Sequence, residues 1–399
     1  MARCLMAIRP LPPSPETSDR FIGPHKLPCY PPQLTWFAKG SNFAVVGFGS
    51  ASLFYFERPQ MSHSSLLPQT PEGALKIDIA TIEAAANRIR PHIFKTPLLE
   101  SPRLNDFLGF RLLVKAEALQ HTGSFKLRGA TNAVWSLGED VCHVVAFSSG
   151  NHAQGVARAV TTRGIKATII MPADTPATKI EGTKAYGADV VTYDRYTESR
   201  EDIGAALNQT LNADLIKPYD DVRVIAGQGT VGLEIARQAA AMGIVPDALL
   251  CCCGGGGLIA GTSIALHAHF PNTKIWCAEP EFYDDTKRSL ESGTPQRAQI
   301  DKSSICDAIV TPEPGELTFP INRIHLSGGT VVSDEQVLKT VATLFKHLKI
   351  IVEPGGAVAV AAALTGQVPK GAQTVVAVAS GGNIDADMFT RALDAKPFF

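Results

Sequence analysis

The sequence predicts an α/β protein of two interwoven, open, mostly parallel sheets with helices on both faces. Three observations predict it. From Ile77 onward short apolar runs alternate with helical runs, the pattern of parallel strands joined by crossover helices. Several apolar runs end in small or polar residues that open a helix, as at Phe147-Ser148-Ser149-Gly150 and Cys253-Gly254-Gly255-Gly256. No Pro/Gly linker or internal repeat divides this part, so two domains would interweave rather than follow one another. With 399 residues, 45% of them hydrophobic, there is material for a sizeable core.

Residues 1 to about 73 carry Pro clusters (Pro10 to Pro15, Pro28 to Pro32), little helical period and no clean strand alternation. They read as a poorly ordered extension spanning 1–75, with Met61 as an alternative start. The apolar stretch Phe43 to Phe56 is too short and Gly/Ser-interrupted for a membrane span, and Met1 to Ile8 lacks the apolar core of a signal peptide. Ile79, Ile82, Ala86 and Ile89 then fall at helical spacing before Pro91 ends the run. Phe110 to Lys115 reads as a strand, Gln120 to Gly123 as its exit loop, and Ser124 as the N-cap of a helix whose first turn holds Lys126. The positive end of that helix disfavours a further positive charge, which lowers the lysine's pKa and suits it to act as nucleophile or base.

Strands at Val144 to Phe147, Ala167 to Met171 and Asp189 to Tyr193 alternate with helices at Asn151 to Arg163, Ala177 to Tyr186 and Glu201 to Leu211. Val222 to Ala226 reads as a strand entering Gly227-Gln228-Gly229-Thr230-Val231-Gly232, which spells a dinucleotide fingerprint. The following strand ends in glycines instead of the acid that would bind a ribose, which argues against NAD. Further elements are Ala248 to Cys252, Leu258 to His269, Lys274 to Ala278, the Asp334 to Leu348 helix capped by Ser333 with Gln336, and the last strand, Thr374 to Ala379.

A formal net charge of -1 gives no basic field for nucleic acid or for a membrane surface, so small-molecule partners are expected. Of eight cysteines, Cys251, Cys252 and Cys253 are adjacent in an apolar run and none has zinc-site spacing, which suits buried reduced thiols in a cytoplasmic protein. Four glycines from Gly254 to Gly257, between an apolar strand and an apolar helix, let backbone N–H groups converge on a phosphate. At Ser148-Ser149-Gly150-Asn151-His152 free N–H groups can hold a carboxylate, and Asn151 can bond a phenol-like oxygen. Lys126, Ser149, the glycine loop and Ser380 all follow the carboxyl ends of strands, where open α/β sheets bind ligands. One lysine, a phosphate cradle and neutral polar groups suggest pyridoxal 5′-phosphate used as an electron sink.

Ser124-Phe125-Lys126-Leu127-Arg128-Gly129-Ala130, Ser148 to Gly155, Gly227-Gln228-Gly229-Thr230, the tetraglycine loop and Ser380-Gly381-Gly382-Asn383 together resemble the threonine/serine dehydratase and serine racemase family of fold-type-II pyridoxal-phosphate enzymes. The resemblance covers roughly 77–399 and implies a tryptophan-synthase-β-like fold: a large domain from 76–145 and 223–399, with a small mobile domain at 146–222. It implies that Lys126 bonds the cofactor covalently, Asn151 contacts its 3′-oxygen, Gly254, Gly255, Gly256, Gly257 and Leu258 bind its phosphate, and Ser380 faces its pyridine nitrogen. Ser148, Ser149, Gly150 and His152 would meet the substrate, with Ser149 a second catalytic residue across the cofactor plane from Lys126. Glu279, Asp285 and the Tyr283 carbonyl resemble the divalent-cation loop of some members, suited to magnesium, manganese or calcium. The implied activity is that of an ammonia-lyase, removing water from L-threonine or L-serine to leave a 2-oxo acid and ammonia. A serine racemase and a threo-3-hydroxyaspartate dehydratase are the alternatives, and a homodimer or higher oligomer is expected. Tyr219 stands where the animal racemases carry an asparagine, which favours the dehydratase. Nothing after Phe399 matches a regulatory domain, so isoleucine feedback is not expected.

Overall fold

The computed structural model describes residues 67–148, 150–175, 177–194, 197–211 and 213–399, with strand backbones at 35–39, 42–46 and 55–56. Strands β1 (Thr35–Lys39), β2 (Asn42–Val46) and β3 (Tyr55–Phe56) pair antiparallel in that order and belong to a unit of their own, Met1–Ser64. The extension expected over 1–75 lies largely outside the described residues. Its described end is a helical turn, Pro71–Ala74, capped by Thr70, with Ala74 buried.

The second unit, Ser65–Phe399, holds two sheets. Strands β4 (Leu98–Glu100) and β5 (Arg111–Ala116) belong to the larger sheet. β6 (His143–Phe147), β7 (Lys166–Pro172), β8 (Asp189–Tyr193) and β9 (Asp214–Leu215) form the smaller one, and β10 (Ala248–Cys252), β11 (Lys274–Pro280), β12 (Gly328–Val332) and β13 (Thr374–Ala379) return to the larger. The orders are β12-β11-β10-β13-β5-β4 and β8-β7-β6-β9. All pairings are parallel except that of β4 with β5. Strands buried on both faces must be apolar throughout, and β10 is buried at every residue. The expected α/β architecture of two mostly parallel sheets is what the chain forms.

One expectation fails. Val222 to Ala226 is no strand, and Gly227 to Gly232 no strand-to-helix turn: both lie inside one helix, Val222–Ala241, capped by Asp221. Its glycines serve close helix packing. A Cβ on Gly227 would come 2.7 Å from the Gly129 backbone, on Gly229 2.9 Å from the Gly261 carbonyl oxygen, and on Gly232 2.3 Å from the Thr262 carbonyl oxygen. The Lys126–Trp135 and Gly257–His269 helices are thereby held against this helix, which fixes the origin of both chemistry-bearing loops. A second correction is local: Phe125, not Ser124, holds the N-cap position before Lys126, and the buried Ser124 hydroxyl has no hydrogen-bond partner.

Candidate active site

β5, β10 and β13 run parallel side by side, so their carboxyl ends and the loops that follow lie along one edge of the large sheet. Backbone bonds then stitch two of those loops together. The Phe125 N–H donates to the Ser380 carbonyl (3.0 Å) and the Gly382 N–H to the Gly123 carbonyl (2.8 Å). Lys126 is thus anchored beside Ser380. On the other side, Gly155 lets the Asn151–Arg163 helix approach the Lys126 backbone, where a Cβ would stand 3.2 Å from it.

The result is a cavity of about 1120 Å³ walled by Lys126, Asn151, Tyr219, the glycine loop, Glu353 and Ser380. Ser148, Gly150 and His152 line it too, so these sequence-predicted groups converge as expected. Ser149 lies outside the described residues. The Lys126 Nζ donates to the Pro218 carbonyl at 2.8 Å, and burial pulls its pKa down to about 8. Desolvation disfavours the ammonium, so burial adds to the helix-end effect read from the sequence.

Crowding by neighbouring protein atoms requires the glycines of this loop. A Cβ on Gly255 would lie 2.3 Å from the Tyr219 ring, on Gly254 3.0 Å from the Ile309 carbonyl oxygen, and on Gly256 2.6 Å from the Asn322 amide. Gly256 also has φ +88°, a conformation natural to glycine. The Gly255 carbonyl accepts from the Thr318 hydroxyl at 2.6 Å, and the Gly257–His269 helix has no side-chain cap, so its first N–H groups remain for a ligand.

Asn151 is oriented by its neighbours. Its Oδ1 accepts from the Asn383 amide (2.6 Å), whose nitrogen also donates to the Thr122 carbonyl (2.9 Å); its Nδ2 donates to Glu353 Oε1 (2.6 Å). One Nδ2 proton is left to donate. Glu353 is almost fully buried, and burial raises its carboxyl pKa to about 8. His152 Nε2 bonds the Ile216 carbonyl (3.0 Å), and burial with the nearby Lys126 charge drives its pKa down to about 3, so the ring is neutral. Ser148 Oγ accepts from the Gly150 N–H at 3.2 Å. The Asn151–Arg163 helix, too, starts without a side-chain cap.

Glu353 and Cys252 were missed in the sequence. Glu353 precedes Pro354-Gly355-Gly356 in a stretch that matches no catalytic pattern, and Cys252 reads as core. Cys252 Sγ lies 3.1 Å from Ser380 Oγ and lines the same cavity.

The residues of the expected cation loop stand apart from the cavity wall. Glu279, near the end of β11, is fully buried, and its oxygens accept from the Thr286 (3.0 Å) and Lys287 (2.8 Å) N–H groups. Asp285 opens the Asp285–Ser292 helix, and its Oδ2 is buried without a partner. Burial raises both carboxyls, Glu279 to about 8 with Asp285's charge adding to the effect, and Asp285 to about 7. Two buried carboxyls with an orphaned oxygen fit a hard cation. Among the described residues no three His, Cys, Asp or Glu side chains converge, so backbone oxygen and water would complete such a shell.

The chain is similar to known proteins over most of its length. The chain is 39% identical over 314 residues to the L-threo-3-hydroxyaspartate ammonia-lyase of Saccharomyces cerevisiae, covering 78% of this chain and 95% of that one. It is 37% identical to the serine racemase of Dictyostelium discoideum, covering 81% and 100%. The crystal structure of the threonine deaminase from T.th. superposes with a TM-score of 0.73 at 45% identity, covering 77% of this chain and 99% of that one. Residues 89–381 match the family model described as pyridoxal-phosphate dependent enzyme, and the chain belongs to that family.

Proposed function

We propose that the chain is an ammonia-lyase that eliminates water from a β-hydroxy-α-amino acid, L-threonine or L-serine, to give a 2-oxo acid and ammonia. The observation that carries this reading is the buried Lys126 amine, at a pKa of about 8, sharing one cavity with an uncapped glycine-loop helix and a neutral serine hydroxyl. Pyridoxal phosphate, when bound, supplies an electron sink for charge developing at the substrate's α-carbon. Lys126 has a usable neutral fraction near pH 7 and removes the α-proton. Gly254 to Leu258 hold the phosphate by backbone N–H groups. The remaining Asn151 amide proton serves the cofactor's phenolic oxygen, and the Ser380 hydroxyl serves the ring nitrogen. Ser148, Gly150 and the open start of the Asn151 helix hold the substrate carboxylate, with neutral His152 behind them. The proposed mobile lobe, 146–222, contributes Lys179, whose ion pair with Asp307 (2.9 Å) lies on the cavity wall.

The names of the relatives support two further readings on the same scaffold, a serine racemase and a threo-3-hydroxyaspartate lyase. One paired assay decides among them: 2-oxo acid and D-isomer formation from L-serine, L-threonine and L-threo-3-hydroxyaspartate. Faster 2-oxo acid release from serine or threonine supports the dehydratase. Dominant D-serine replaces it with the racemase, and turnover confined to hydroxyaspartate replaces it with that lyase.

A further inference from the structure

The proposed chemistry gives no task to one polar group on the cavity wall, the Cys252 thiol. β10 and β13 are parallel neighbours with Leu250 opposite Ala377, so Cys252 ends its strand level with Ala379 and one residue short of Ser380. Side chains alternate along a strand, which turns the thiols on either side of it away. Cys253 Sγ meets the Thr286 hydroxyl at 3.3 Å, while Cys252 lines the cavity. Cys252 Sγ donates to Ser380 Oγ across 3.1 Å. A serine hydroxyl has one proton and two lone pairs. Among the described residues Cys252 supplies the side-chain hydrogen bond to that hydroxyl, and it occupies a lone pair, leaving the proton to be given onward.

We propose that Cys252 is a positioning residue that fixes the Ser380 hydroxyl as a donor toward the cofactor's ring nitrogen. The inference rests on the reading of Ser380 given above. A hydroxyl can equally accept from a protonated nitrogen through its second lone pair; the hydrogen bond from sulfur polarises the O–H and makes it the better donor, which favours the donor arrangement. A nitrogen that accepts a hydrogen bond is kept unprotonated, which weakens the ring as a sink and favours loss of a β-leaving group over deeper carbanion chemistry. The contacts to Cys251 and Ser380 and the charge on Lys126 also pull the thiol's pKa below its ordinary value. The opposite polarity, with sulfur accepting the serine proton, is therefore the rival to be separated.

The test is the dissociation constant of pyridoxal phosphate, titrated by visible absorbance on the full-length protein. Cys252→Ala should weaken binding about five-fold, the scale of one neutral hydrogen bond. Cys252→Val, which fills the space without a donor, should behave alike. Cys252→Ser, whose hydroxyl also donates, should stay within about two-fold of the parent. In a Ser380→Ala background Cys252→Ala should add nothing, because the thiol acts through that hydroxyl. Tighter binding in Cys252→Ala would mean that sulfur holds the serine proton and would overturn the proposal. So would an equal loss in both backgrounds, or no rescue by Cys252→Ser, since each marks plain packing. A parent protein that binds no pyridoxal phosphate fails the proposed function instead.

Discussion

A carboxyl as buried as Glu353, bonded by one amide proton of Asn151, holds its own proton well above the usual carboxylate range. With a folded pKa of about 8 against an ordinary 4.5, the folded protein binds more protons than the unfolded chain between those values, so this group costs stability as pH rises through that window. Glu353→Gln removes the cost. Its melting temperature should match the parent's near pH 5 and exceed it increasingly toward pH 8; a constant offset at all pH values would show that Glu353 does not titrate this way. At Asp285 the orphaned oxygen predicts that magnesium, manganese or calcium raises the parent's melting temperature and that Asp285→Asn abolishes the rise. Equal shifts in both proteins, or none in the parent, would rule out the cation loop. Lys126, Asn151 and Ser380 were legible because each sits in a strand–loop–helix motif with its own pattern. Glu353 was not, because its place in the site depends on which helix end meets Asn151 in three dimensions.

Elements read well where the apolar period was clean and poorly where packing replaced it. The Asp334–Leu348 helix has the expected capping box, with Ser333 and Gln336 bonding each other's backbone. Ser333→Ala should cost about 1 kcal/mol in denaturant unfolding. The Pro354–Leu364 helix went unread because it is buried on every side and has no polar face to set a period. The Val222–Ala241 helix was misread because its glycines imitate a phosphate loop, whereas they admit the backbones of neighbouring helices. Gly232→Ala tests this directly. Its methyl would meet the Thr262 carbonyl, a backbone atom that cannot swing aside, and should cost about 1–3 kcal/mol. A neutral effect on the denaturation midpoint would show that the two helices part at little cost.

For the whole molecule, the unit Ser65–Phe399 holds both sheets and the cavity, so the chain shortened to begin at Met61 should fold and turn over like the parent. Loss of solubility on that truncation would give the first residues a structural part. No helix among the described residues is long and apolar enough to cross a membrane. Neighbouring parallel strands of the large sheet bring residues as distant in sequence as Lys126, Gly254 and Ser380 to one cavity, and the central claim is that Lys126 is where the cofactor is bonded. The most direct measurement is the visible absorbance of the purified protein, with borohydride reduction and peptide mapping of any label. The parent should absorb in the visible and carry the reduced label on Lys126, and Lys126→Ala should lose both. A reducible, covalent pyridoxal phosphate adduct that persists in Lys126→Ala would contradict the account.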